Sequence, residues 1–166
     1  AETSGKLLWD PDVRPEGVYE KIEGTLMNDR VMPFANFGQF VASESGTTAS
    51  DAELFGYQGG LRFELGTDPK EKPATLTSAV AYYDYTDVTR SSNFIVSGTS
   101  LARGNTTAGS TELAARDFNI LSFYDEFKFK LAGFPVKLYG EYDINLHEQA
   151  ASPDGENQAF QIGTGV

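Results

Sequence analysis

The stretch LFGYQGGLRFELG, residues 54–66, decides the fold. Taking every second residue gives Phe55, Tyr57, Gly59, Leu61, Phe63 and Leu65 on one face, and Leu54, Gly56, Gln58, Gly60, Arg62 and Glu64 on the other. A period of two that separates an apolar from a polar set marks a β-strand whose sides meet different surroundings. Alternation alone leaves two solutions: the apolar side packs on a soluble core, or it faces lipid.

The same period recurs along the chain and predicts seven strands, at about 17–25, 31–42, 53–65, 74–86, 118–131, 135–146 and 157–166. VKLYGEYDINL (136–146) alternates without exception. Val136, Leu138, Gly140, Tyr142, Ile144 and Leu146 lie on one side, and Lys137, Tyr139, Glu141, Asp143 and Asn145 on the other. LSFYDEFKFKL (121–131) sets Leu121, Phe123, Phe127, Phe129 and Leu131 against Tyr124, Glu126, Lys128 and Lys130. Asp125 interrupts its apolar side, which lipid would tolerate only near an interface or where a bulge re-aims the residue. TLTSAVAYYDYT (75–86) is rich in small residues and its facing stays ambiguous. STELAARD (110–117) has a helical cast but is too short for a stable helix. The expected fold is all-β, an antiparallel up-and-down meander without substantial helix.

Strand length separates the two solutions. The candidates are about 12–14 residues long, whereas ordinary globular strands run about 5–6 and a tilted membrane strand needs about 9–11. The connections point the same way. MNDR, GTDPKEKP and AGFP are short; SESGTTASDA, residues 87–117 and HEQAASPDGEN are longer, and the two kinds alternate. Membrane barrels show this rhythm, with tight turns at one rim and long loops at the other, and a Greek-key sandwich has no reason for it. The 87–117 segment reads as a surface loop, with Phe94, Ile95 and Val96 as an apolar island that would anchor it if it folded into a barrel.

The 166 residues suffice for one domain with a sizeable core, and 12 Phe, 8 Tyr and 17 Gly suit a turn-rich β protein and not a disordered chain. A net charge of −11 repels phosphate backbones, so nucleic acid is not an expected partner. The absence of cysteine excludes disulfides, thiolate catalysis and cysteine metal sites. No run of 18 apolar residues predicts a membrane helix, which leaves membrane strands open. AETSGKLLWD reads as a mature or internal start.

Little else carries chemistry. His147, the single histidine, stands beside Glu148 at the start of a polar stretch with no nucleophile placed near it, so a solvated residue is expected and no catalytic site is assigned. Asp10, Asp12 and Glu16 resemble the opening of a calcium loop, but Arg14 and Pro15 stand where that loop needs an oxygen ligand and a glycine. The glycines of GYQGGLRFELG are not followed by a helix, which excludes a phosphate loop. Asn105 matches a glycosylation acceptor. Neither a metal nor a cofactor is expected.

In order along the chain, LLWDPDVRPEGV (7–18), VMPFANFGQF (31–40), AVAYYDYTDV (79–88), FNILSFYDEFKFKLAGFPVKLYGEYDIN (118–145) and the closing FQIGTGV resemble the putative porin family of Gram-negative outer membranes. The resemblance covers most of the chain outside the loops and rests on the joint order of these phrases. It implies part of a transmembrane β-barrel, in contact with membrane lipid and lipopolysaccharide, through which small solutes or ions cross the bacterial outer membrane without a reaction. It leaves homo-oligomerisation open. In that family WDPDVRPEG resembles an internal loop-to-strand passage, and seven is an odd count where bacterial single-chain barrels are even. The expectation is therefore an internal fragment of a larger porin, with residues 1–16 a loop leading into the first strand.

On this reading Phe55, Tyr57, Leu61, Phe63, Leu65, Phe127, Phe129, Leu138, Tyr142 and Ile144 face lipid. Gln58, Arg62, Glu64, Glu126, Lys128, Lys130, Lys137, Glu141 and Asp143 line the pore, where their two signs would set up a transverse field. Tyr82, Tyr83 and Tyr85 form the aromatic girdle at the membrane interface. The acidic excess at Glu44, Asp51, Asp68, Asp154 and Glu156 predicts a mild cation preference. The rival reading is a soluble β-sandwich binding module in which Tyr82, Tyr83 and Tyr85 stack on a sugar.

Overall fold

The structure, a computed structural model, describes residues 16–43, 51–66, 74–86, 118–146 and 157–165. The expectations for residues 1–15, for the 87–117 segment with Asn105, and for His147 lie outside these residues. The described residues form seven strands and no helix: β1 (Glu16–Glu23), β2 (Val31–Ser43), β3 (Ala52–Leu65), β4 (Ala74–Thr86), β5 (Phe118–Leu131), β6 (Phe134–Asn145) and β7 (Gln158–Gly165). They make one sheet in the order β1-β2-β3-β4-β5-β6-β7, every neighbouring pair antiparallel. This is the expected meander. β1 stops at Glu23 instead of reaching residue 25, and β6 begins at Phe134, one residue sooner than expected. β1 and β7 each pair on one side only, so the described sheet is not closed.

The register fixes every facing. Phe37 opposes Tyr57, Tyr57 opposes Tyr82, Tyr82 opposes Leu121 and Leu121 opposes Ile144, all on one side. On the reverse, Asn36 opposes Gln58, Gln58 opposes Ala81, Ala81 opposes Ser122 and Ser122 opposes Asp143. The pairing resolves β4 too: Leu76, Ser78, Val80 and Tyr82 share the apolar side, and Thr75, Thr77, Ala79, Ala81 and Tyr83 the polar one.

Burial runs opposite to that of a soluble sheet. Large apolar residues on the apolar side are exposed, among them Val18, Phe37, Tyr57, Leu61, Val80, Phe123 and Leu138, with Phe160 76% and Ile162 84% exposed. The polar side is the crowded one, and Asn36, Gln58, Thr77, Ser122, Glu126, Glu141 and Asp143 are buried there. Two small clusters thicken it: Phe34, Ala79 and Tyr124 with Tyr139, and Leu54, Ala81 and Tyr83 with Phe40, Tyr85 and Ile120.

Rings on the polar side lie flat where the facing strand has only glycine. The Phe34 ring occupies the place of a Gly60 side chain, where a Cβ would also sit 2.6 Å from the Ser78 carbonyl oxygen. Tyr139 covers Gly163 in the same way. A large ring laid over a cross-strand glycine buries aromatic surface while keeping it against the wall. Two tight turns need positive φ. Ala132 (51°) and Gly133 (88°) join β5 to β6, and Met27, Asn28 and Asp29 (53°, 54° and 66°) carry β1 into β2.

Candidate functional site, the polar wall

The polar side of β3, β5 and β6 gathers every charged residue assigned to a pore. Gln58, Arg62 and Glu64 alternate along β3; Glu126, Lys128 and Lys130 along β5; and Lys137, Glu141 and Asp143 along β6. The period of two forces this, since a residue shifted by one position would project through the opposite side.

Glu126 is the hub. It is 5% exposed, and the Lys128 ammonium stands 2.6 Å from Oε1 and the Lys137 ammonium 3.7 Å from Oε2. The Tyr124 hydroxyl donates to Oε2 at 3.0 Å. Lys137 also lies 4.9 Å over the Tyr139 ring, and that ring stacks on Tyr124 at 6.4 Å and 25°. A carboxylate so deeply placed needs such compensation. Farther up β6, Gln161 Nε2 donates to Glu141 Oε2 at 2.5 Å. Towards β1 an uncharged chain runs across the strands: Tyr19 Oη donates to Asn36 Oδ1 at 2.9 Å, and Asn36 Nδ2 donates to Gln58 Oε1 at 2.7 Å.

Both signs occur along the wall: Glu64 and Glu126 stand among Arg62, Lys128, Lys130 and Lys137 in the half nearest the tight turns, and Lys21 shares a rung with Asp143 five strands away. Among the described residues no group of His, Cys, Asp or Glu could hold a metal ion.

The apolar side collects Phe55, Tyr57, Leu61, Phe63, Leu65, Phe127, Phe129, Leu138, Tyr142 and Ile144. Phe55 to Leu65 spans about 33 Å along the strand, or about 23 Å of depth at a 45° tilt, close to the ~25 Å apolar band of a membrane barrel. Asp125 stays on this side. The ladder runs through it without a bulge, and the Ser78 hydroxyl donates to its Oδ1.

The tyrosine girdle needs correction. Tyr82 belongs to the apolar side, but Tyr83 points to the polar side, where it is buried, and Tyr85 follows it there. Consecutive strand residues cannot share a face. The aromatic belt runs across strands instead. Phe37 meets Tyr57 edge-on at 6.2 Å, Tyr57 stacks on Tyr82 at 6.5 Å, and the belt continues one rung lower through Phe123, Tyr142 and Phe160. Polar tips accompany it: Asn119 Nδ2 donates to Tyr82 Oη at 2.6 Å and to Asp84 Oδ1 at 2.9 Å, and Tyr142 Oη donates to Gln158 Oε1 at 2.6 Å. Phe37 and Phe160 were missed because each looks like one more apolar residue until register places it.

A profile of the putative porin family matches residues 3–132, more than half of the chain. The chain belongs to the putative porin family. The match takes in β1 to β5 of this sheet, with β6 and β7 beyond it. Membership implies a membrane-embedded β-barrel protein, in accord with a sheet that exposes its apolar side. No curated protein and no solved structure matches the chain. Among the described residues no helix is long and apolar enough to cross a membrane, a test that does not bear on strands.

Proposed function

We propose that the seven strands form part of the wall of a closed β-barrel in a bacterial outer membrane, and that this porin is a passive, water-filled channel for small hydrophilic solutes or ions. One observation carries the reading: the sheet exposes its aromatic and aliphatic side and crowds its charged side. Lipid accepts the first, and a wet lumen accepts the second. A soluble sandwich would require the reverse, and its sugar platform dissolves because Tyr82 and Tyr83 lie on opposite sides. Partner strands at the open edges of β1 and β7 complete the backbone hydrogen bonding that a bilayer demands. Transport on this reading needs no reaction; Glu126, Lys128, Lys137 and Arg62 act as a fixed charged lining.

Planar-bilayer recording with the native protein tests this. Stepwise ohmic conductance, with liposome swelling by small sugars and a size cut-off, is the expected outcome. The absence of conductance, together with a monomer soluble in plain buffer, would sink the reading.

A further inference from the structure

Asp143 is the anomaly of the polar wall. Its side chain is 4% exposed, and its carboxylate has only the Ser122 hydroxyl opposite it as a side-chain neighbour able to donate, at more than ordinary hydrogen-bond distance. Glu126, equally deep, has two ammonium groups and a hydroxyl. An ionised carboxylate in that position takes a counter-charge or a proton, because leaving it alone costs several kcal/mol.

The register shows that the sheet itself supplies no cation. Ser122 opposes Asp143 on β5 and Ala159 opposes it on β7; Glu141 and Asn145 are its same-side neighbours on β6; Tyr124 and Gln161 lie diagonally. None of the six is basic. The nearest lysine on this side of β6, Lys137, is six positions along, about 20 Å away. Glu141 lies only about 7 Å from Asp143 by strand spacing and adds a second negative group to the same zone. With no metal-binding set among the described residues, a permanently held ion is not indicated.

We propose that Asp143 is the residue that selects small monovalent cations on this wall, the field of its carboxylate acting on ions in passage. The inference rests on the channel reading above and deepens it. A lone carboxylate with small flanking residues attracts a cation without the several ligands that would trap it, as conduction requires.

The experiment is the reversal potential of the native protein in a potassium chloride gradient, compared with Asp143→Asn, the neutral isostere of the protonated acid. Wild type is expected to favour potassium, and Asp143→Asn to lower the potassium-to-chloride permeability ratio about sevenfold, since one unit charge acting at ~7 Å through water changes each ion about threefold in opposite directions. Asp143→Glu should keep the ratio. If Asp143→Asn does not insert, Ser122→Lys places an ammonium opposite the carboxylate and should lower the ratio likewise. An unchanged ratio in Asp143→Asn means that the site holds a proton, and overturns the inference. Anion preference in wild type, or an unchanged ratio in Ser122→Lys, does the same. Absence of any wild-type conductance would instead overturn the channel reading.

Discussion

Asp125 and Glu126 are adjacent carboxylates in β5, and the strand sends them to opposite sides of the sheet. Glu126 meets two lysines and a tyrosine hydroxyl. Asp125 has Ser78 as its hydrogen-bond donor, amid the exposed apolar residues of neighbouring rungs such as Phe123 and Leu138. Similar groups thus obtain unlike company, and the difference shows what each side is built to touch. The polar side surrounds charge with more charge, as a wet wall does. On the apolar side Asp125 sits in mid-strand and is covered by the smallest available donor, in a row where Gly140 stands opposite.

The largest test of that contrast is to put charge where the apolar side has none. Phe123→Arg, on the rung next to Asp125, should cost about 2–4 kcal/mol when the native protein is folded into lipid vesicles and titrated with denaturant. Lys130→Leu, an exposed change on the other side, should fall within about 0.5 kcal/mol. Equal costs would mean that the two sides meet the same medium.

Gly59 and Gly60 offer the same contrast without charge. A Cβ at Gly60 collides with the Phe34 ring and the Ser78 backbone, whereas a Cβ at Gly59 meets nothing within 4 Å. Gly60→Ala should therefore cost about 1–3 kcal/mol by overpacking. Gly59→Ala should be neutral or favourable, since it removes backbone freedom from the unfolded chain. A neutral Gly60→Ala in the same denaturant titration would show that Phe34 does not rest on that glycine.

Much of this was legible in the sequence because a two-residue period carries facing directly. Once Phe55 and Gln58 are placed on opposite sides of β3, the rest of that strand follows, and Glu141 and Asp143 follow on β6 by the same rule. What the sequence withheld depends on pairing. Tyr82, Tyr83 and Tyr85 look like one cluster when read along the chain, yet alternation splits them, and the belt from Phe37 to Tyr82 exists only through the register of β2, β3 and β4. The compensation of Asp125 is non-local for the same reason: Ser78 is 47 positions away. In β4, small residues on both sides erased the polarity difference that marks facing elsewhere.

Asp125→Leu asks whether that compensation is complete. A carboxylate facing lipid costs less than a basic group, so its removal should stabilise the lipid-folded protein by about 1 kcal/mol. The same change should gain nothing if the acid contacts a polar partner in the membrane. Stability in vesicles against Ser78→Ala, which strips the donor and should lose a comparable amount, reads both alternatives in one series.

The smallest effect belongs to the tight turns, which lie outside the contrast between sides and calibrate it. Ala132 and Gly133 both hold positive φ between Leu131 and Phe134, the arrangement of a type I′ hairpin turn. Glycine adopts that region freely, but in alanine the Cβ crowds the following carbonyl oxygen, a cost of about 1–2 kcal/mol. Asparagine relieves part of it, so Ala132→Asn should stabilise by about 0.5–1 kcal/mol. The gain should be alike in lipid and in detergent, because the exposed turn needs neither medium. A change at Phe123 should instead depend strongly on which of the two surrounds the protein. If Ala132→Asn gave a gain that varied between lipid and detergent, stability differences in this sheet would not report which side meets the membrane.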